Sequence, residues 1–317
     1  MRAVVQHGFG GPEVLATEQV PVPEPLPTEV LVRVVAAGVN PVDWKTRAGG
    51  GMAGVLGEPP FTLGWDVSGV VEAVGFGVTT LAPGDEVYGM PWFPRAAGGY
   101  AEFVTAPARQ FARKPKAVDH VHAAGVPLAA LTAWQALVDT ARVQAGQRVL
   151  VHAAAGGVGH LAVQFAKHLD AHVVGTASAP RHDWLAGLGA DELVDYTATR
   201  FEDVISDVDI VLDLVGDVRD DTSTRSLDVL RPGGLLIAVP GGVSPELRDA
   251  AAARGLRTSP FLVEPDGPAL AAIGGLIDSG AVSVEVQEVL PLAEAAAAHT
   301  LGETGRTKGK IVLSVAE

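Results

Sequence analysis

The sequence predicts an α/β chain in which a doubly wound parallel sheet is joined to a barrel-like β domain. Three observations predict it. First, the glycine-rich turn "HAAAGGVGH" (152–160) follows the short apolar strand "RVLV" and opens a helical stripe of apolar residues. Second, from about residue 118 short apolar strands alternate with helical stretches. Third, the residues before that point form short strand-like runs separated by Gly and Pro.

In chain order, "MRAVVQ", "TEVLVRVVAAGV", "DVSGVVEAVG", "GDEVYGM" and "YAEFVTAP" are the apolar or alternating runs of an all-β unit ending near residue 117. Within it "AGGGMAGVLGEPP" (48–60) reads as a mobile loop. Then come the strand "RVLVHA" and a helix with Val158, Leu161, Ala162, Phe165, Ala166 and Leu169 on one stripe. "HVVGTA" is a strand and "DWLAGLGA" a helix ended by glycine. "ELVDY", "DIVLDLVG" and "GLLIAVPG" complete a βα repeat that reads as a parallel sheet covered on both faces. After about residue 262 follow a helix, a strand, an Ala-rich helix and the strand "KGKIVLSV", which either close this sheet or return to the first domain.

A length of 317 residues suits two domains, and 48% apolar residues are enough for two cores. A formal charge of −14 argues against nucleic acid or an anionic membrane surface as partner. An anionic ligand must then be met by backbone N–H groups or local basic residues. The absence of cysteine excludes disulfides, thiolate zinc sites and cysteine nucleophiles, and fits a reducing cytoplasm. The N-terminal stretch shows no secretory signal, and no run of about 18 apolar residues suggests a membrane span.

Ala154, Gly156 and Gly159 stand at the three G-x-G-x-x-G positions, the first replaced by alanine. In a strand–turn–helix context, Ala155, Gly156, Gly157, Val158 and Gly159 are expected to cradle a dinucleotide pyrophosphate at a helix N-terminus. Ala154 costs little if its φ is negative. An NAD site ends the second strand with an acid that accepts from the ribose 2′-OH. Here the strand ends in Thr176, Ala177 and Ser178, with Arg181 following and Tyr196 at the end of the next strand. Singly, Arg181 reads as a solvated helix start and Tyr196 as a packed strand end. Together with the missing acid they favour the 2′-phosphate of NADP(H).

At this point the chain resembles the zinc-independent quinone oxidoreductases of the medium-chain dehydrogenase/reductase superfamily. The resemblance rests on "AGVNPVDWKTRAG", "LGWDVSGVVEAVG", "GDEVYG", "GGYAEFV", "PLAALTAWQAL", "HAAAGGVGHLAVQFAK", "LGADELVDY", "LDLVG", "LRPGGLLIAV" and "GRTKGKIVL", spread over essentially the whole length. It implies a GroES-like β domain built from both chain ends (1–117 and 262–317) around a Rossmann NADP-binding domain (118–261), with the cofactor in the cleft and a homodimer as the common assembly. It also implies cofactor contacts at Asn40, beside the expected nicotinamide, at Thr132, at Val215 of "LDLVG", at Val239 and Pro240, at Phe261, Leu262 and Val263, and at Lys308, with Arg306 and Lys310 nearby. For Thr132 packing, and for the basic residues a solvated loop, are the alternatives.

The zinc alcohol dehydrogenases of the same superfamily carry their ligands at the positions of Asn40, Trp65 and Leu128, in "AGVN", "GWD" and "PLAAL". An amide, an indole and an aliphatic side chain make no zinc site together, so no metal is expected. Without a Lewis acid, an unactivated ketone is a poor substrate. A quinone or α,β-unsaturated carbonyl delocalises the charge that hydride transfer creates, so hydrogen bonds suffice. The expected activity is NADPH-dependent reduction of such small molecules, with Asn40 as catalytic donor or, alternatively, as a local Asn-Pro turn. Trp92 and Leu128 are expected in the substrate pocket, with plain core packing as the alternative for Trp92. An enoyl-thioester reductase, and a non-catalytic crystallin-like NADPH-binding protein, are the competing readings.

Overall fold

A computed structural model describes residues 1–316. Its strands are β1 Arg2–Gln6, β2 Leu15–Gln19, β3 Glu29–Val39, β4 Phe61–Thr62, β5 Asp66–Val74, β6 Glu86–Gly89, β7 Phe103–Pro107 and β8 Phe111–Arg113, then β9 Arg148–Val151, β10 His172–Thr176, β11 Glu192–Val194, β12 Val208–Asp213, β13 Leu230–Ala238, β14 Arg257–Pro260, β15 Val286–Pro291 and β16 Lys310–Ser314. They form two compact units, one of Met1–Leu131 with Glu264–Glu317 (Glu317 itself lying outside the described residues), the other of Thr132–Val263.

In the second unit six parallel strands are ordered β11-β10-β9-β12-β13-β14, the doubly wound 3-2-1-4-5-6 order. The middle strands are apolar at their centres, residues 149–151 in β9, 210–212 in β12 and 235–238 in β13, because both faces are covered: every residue of β12 is buried. Below the sheet Leu150, Val174, Val211, Leu236, Phe201 and Leu247 share one core cluster. The helix Gly159–His168 carries more than the expected stripe. All residues from Gly159 to Ala166 are buried, and only Lys167 and His168 face water. This order reverses between β9 and β12, and ligands of such sheets bind beyond the strand carboxyl ends at that point.

In the first unit a seven-stranded sheet has the path β15-β16-β3-β5-β6-β8, with β7 also on β3. A three-stranded sheet β2-β1-β4 lies in the same unit. The strand "KGKIVLSV" thus returns to the N-terminal half, pairing antiparallel with β3 and parallel with β15. The segment 48–60 is not a bare loop: it contains a short helix, Ala53–Leu56, preceded by the Met52 N–H bonded to the Thr46 hydroxyl. No helix is long and apolar enough to cross a membrane among the described residues.

Candidate active site

The turn after β9 is built by its neighbours. The Ala154 N–H donates to the Thr176 carbonyl and the Gly156 N–H to the Ala153 carbonyl. His160 Nδ1 donates back to the Gly156 carbonyl at 2.9 Å, and its ring stacks on Trp184. Ala154 has a negative φ, the condition under which alanine costs little there; the left-handed residue is Ala153, φ 48°, at a cost of about 1 kcal/mol. Gly159 is required by close approach. A Cβ there would lie 2.3 Å from the Ala153 carbonyl oxygen and 2.7 Å from Ala154 Cα. Ala155, Gly156, Gly157 and Val158 are half-buried, and the N–H groups of Gly157 and Val158 have no acceptor among the described residues. That is the donor set a pyrophosphate needs, so the turn fits a dinucleotide.

The other expected contacts gather at the same edge. Thr176 closes β10 and Ser178 follows it, Tyr196 follows β11, Val215 follows β12, Val239 and Pro240 follow β13, and Phe261, Leu262 and Val263 follow β14. Arg181 forms no ion pair among the described residues, and Tyr196 is 60% exposed, so both are open to a ligand. Asp213, which the sequence reading missed, ends β12 and accepts the N–H groups of Val215 and Gly216 and the Ser223 hydroxyl, fixing the 214–216 turn.

Two expectations change here. Thr176 is buried, its Oγ1 paired with His152 Nδ1 at 3.1 Å and accepting the Ala153 N–H. The hydroxyl braces the turn from inside rather than meeting a phosphate. Lys308 donates through Nζ to Glu285 at 2.8 Å, so its charge is already matched within its own unit. Thr132 is buried in the helix Pro127–Trp134, and Val263 is buried while Leu262 is exposed.

Asn40 follows β3 and precedes the helix Pro41–Arg47, and its carboxamide is tied to two other strands. Its Nδ2 donates to Asp66 Oδ2 at 2.8 Å, and its Oδ1 accepts from Lys310 Nζ. Asp66 Oδ1 accepts the Leu128 N–H at 2.7 Å, where the first turn of the next helix has an unpaired donor. Lys310 Nζ also donates to the Val39 carbonyl at 3.0 Å and lies 3.7 Å from Asp66 Oδ2. The register explains the meeting. Ile311 pairs with Val39, which sets Lys310 beside Asn40, and Gly38 pairs with Asp66 on the other side of β3. Lys310 is therefore buried at a strand start rather than in a solvated basic loop. Burial pushes Lys310 below and Asp66 above their ordinary ranges, each held back by the other's charge.

A second buried chain runs beside it. Arg47 donates to Glu303 at 2.6 Å and to His299 Nδ1 at 3.3 Å. The other imidazole nitrogen then carries the hydrogen and donates to the Tyr100 oxygen, and Tyr100 donates to Asp43 Oδ2 at 2.9 Å. Asp43 Oδ2 also accepts the Asn40 N–H, while Oδ1 has no partner among the described residues. Burial raises the Asp43 carboxyl to about 7 and, with the Arg47 charge, lowers His299 to about 3. A carboxyl whose folded pKa exceeds its unfolded 3.8 stabilises the fold below that value and loses this as pH rises towards 7. Relative to Asp43→Asn, the wild type is expected to lose about 3 kcal/mol between pH 5 and pH 8. Urea denaturation at both values checks this; a constant difference means that Asp43 is ionised throughout. His299 has the opposite slope below pH 6.5 and is common to both proteins.

Trp92 is half-buried with its indole N–H bound to the Thr105 carbonyl at 2.7 Å, and Leu128 is buried. Trp65 is buried edge-on to Phe93, its N–H on the Arg95 carbonyl. Asn40, Trp65 and Leu128 thus offer one amide, already engaged by Lys310 and Asp66, an indole N–H and an alkyl group. This donor set does not fit zinc.

Residues 26–116 match the alcohol dehydrogenase GroES-like domain, and residues 188–313 match the zinc-binding dehydrogenase family. The NADPH-dependent alkenal/one oxidoreductase of Arabidopsis thaliana, a chloroplastic protein, is 37% identical over 99% of this chain and 79% of its own length. The chain belongs to the quinone oxidoreductases of the medium-chain dehydrogenase/reductase superfamily. Among solved quinone oxidoreductases, that of Coxiella burnetii superposes with a TM-score of 0.93 at 36% identity, covering 100% of this chain and 99% of its own. The Escherichia coli quinone oxidoreductase complexed with NADPH gives 0.88 at 29% identity, covering 99% and 100%.

Proposed function

We propose that this protein reduces quinones or α,β-unsaturated carbonyls with NADPH and without zinc. The observation that carries this is the side-chain set at the superfamily's zinc-ligand positions: a hydrogen-bonding amide, Asn40, held by Lys310 and Asp66, stands where a Lewis acid would need ligands. NADPH would supply the hydride. The turn 153–159 would hold its pyrophosphate, and Arg181 with Ser178 its 2′-phosphate. Asn40 would donate to the carbonyl oxygen on which charge develops. One amide donor stabilises a delocalised enolate or phenolate far better, relative to need, than the localised alkoxide of a simple ketone. The names of the two related enzymes, one acting on alkenals and enones and one on quinones, support the same substrate class.

NADPH oxidation is the test, with a panel of quinones, enals, saturated ketones and enoyl thioesters. Turnover is expected on quinones or enals and not on saturated ketones. Preference for enoyl thioesters would favour the acyl reductase reading. Tight NADPH binding with no turnover on any of them would sink the enzyme reading, and stoichiometric zinc in the purified protein would overturn the metal-free one. For the cofactor, Arg181→Ala is expected to weaken NADPH binding by about tenfold while leaving NADH unchanged. An unchanged NADPH/NADH ratio removes Arg181 from the 2′-phosphate site.

A further inference from the structure

The Asn40 carboxamide lies between two charges from two other strands. Lys310 Nζ presents only hydrogens and sits on Oδ1; Asp66 Oδ2 presents lone pairs and takes an Nδ2 hydrogen at 2.8 Å. Which end of an asparagine amide is oxygen is often ambiguous, but here the charges decide it. A flipped amide would set its oxygen against a carboxylate and its NH₂ against an ammonium. Both charged groups are themselves anchored to backbone, Lys310 on the Val39 carbonyl at 3.0 Å and Asp66 on the Leu128 N–H at 2.7 Å. The ring Asp66–Asn40–Lys310 is closed, with the two charged ends 3.7 Å apart. Asn40 is left with one N–H hydrogen uncommitted. Only 1% of the residue is exposed, so a ligand can meet it along one edge at most.

We propose that Lys310 and Asp66 are positioning residues that lock and polarise the Asn40 carboxamide, so that its one remaining N–H is a fixed, strengthened donor to the substrate's carbonyl oxygen. This rests on the reading of Asn40 given above. The ammonium draws electron density towards Oδ1, which makes the amide hydrogens more acidic; chains of hydrogen bonds polarise one another in this way. The ammonium acts through the amide and need not touch the substrate. The pair also prevents the amide from turning its oxygen towards the developing negative charge, where it would repel it.

The test is a double-mutant cycle between Asn40→Ala and the charge-free pair Lys310→Met/Asp66→Asn, in which the introduced carboxamide oxygen can still accept the Leu128 N–H. The pair is expected to lower kcat about tenfold with KM for NADPH nearly unchanged, and to add nothing further in the Asn40→Ala background. Full kcat in the pair, or additive losses, overturns the proposal. If Asn40→Ala alone keeps full kcat, the donor role given to Asn40 is what fails. Wild-type protein gives a readout that needs neither activity nor a variant fold. The two ¹⁵N-bound carboxamide protons of Asn40, identified by their loss in Asn40→Ala, are expected to be separated more widely than those of exposed asparagines, because one is bound to a carboxylate and the other is not. A separation no wider than theirs means that the amide is not locked.

Discussion

Gly159→Ala is expected to weaken NADPH binding about 100-fold and to lower the melting temperature. The added methyl would meet the Ala153 carbonyl oxygen at 2.3 Å and the Ala154 Cα at 2.7 Å, where ordinary contacts begin near 3.4 Å. Both neighbours are backbone, so no side chain can rotate away. The helix Gly159–His168 has to move off β9, and it is buried on every side as far as Ala166. Overpacking of this kind costs roughly 1–3 kcal/mol. The same shift takes the Gly157 and Val158 N–H groups out of line with the phosphates, which adds to the loss of affinity. Gly187→Ala is the control: nothing lies within 4 Å of a Cβ there, and alanine is expected to stabilise that helix end by about 0.5 kcal/mol. Fluorescence titration with NADPH and thermal melts distinguish the two. Normal NADPH affinity in Gly159→Ala would mean that the turn is not the cofactor cradle.

Asn40→Ala is expected to reduce kcat on a quinone by about 100-fold while the Kd for NADPH changes little, the effect of removing a donor to developing negative charge. The variant should fold. Lys310 and Asp66 already stand 3.7 Å apart and can close on each other once the amide is gone, so no buried charge is stranded. Steady-state kinetics beside an NADPH titration read this out. An equal loss in kcat and in NADPH affinity would instead assign Asn40 to cofactor binding.

The Rossmann unit was legible because its middle strands carry short apolar runs and its glycine turn lies directly between strand and helix. The grouping of the candidate residues at one edge was legible for the same reason: topology sets every strand's carboxyl end on one side, so residues just after strands are candidates wherever they fall. What the sequence hid were side-chain partners far apart in the chain. Lys310 and Asn40 are 270 residues apart, and Arg47 and Glu303 are 256 apart. "GRTKGK" reads as a basic loop because, although "KGKIVLSV" reads as a strand, nothing local shows that this strand lies between β15 and β3 with Lys310 buried. Thr176 misled in a similar way. A hydroxyl at a strand end suits a phosphate, and only the buried His152 beside it shows that the hydroxyl turns inward. The short helix Ala53–Leu56 was hidden by its flanking glycines, which dominate any local reading of 48–60.

The position of β16 bears on how the protein is made. As the chain leaves the ribosome, Thr132–Val263 has all six of its strands in hand before Lys310–Ser314 has been synthesised. The first unit does not: until β16 arrives, one side of β3 lacks its partner along Ala36–Val39, and that exposed edge can pair with another nascent chain. This step also buries a charge, since Lys310 is the first residue of the arriving strand and must lose its water to reach Asn40 and Asp66. The middle of the chain is thus equipped to fold early, while the sheet of the first unit is completed only once Lys310–Ser314 has emerged.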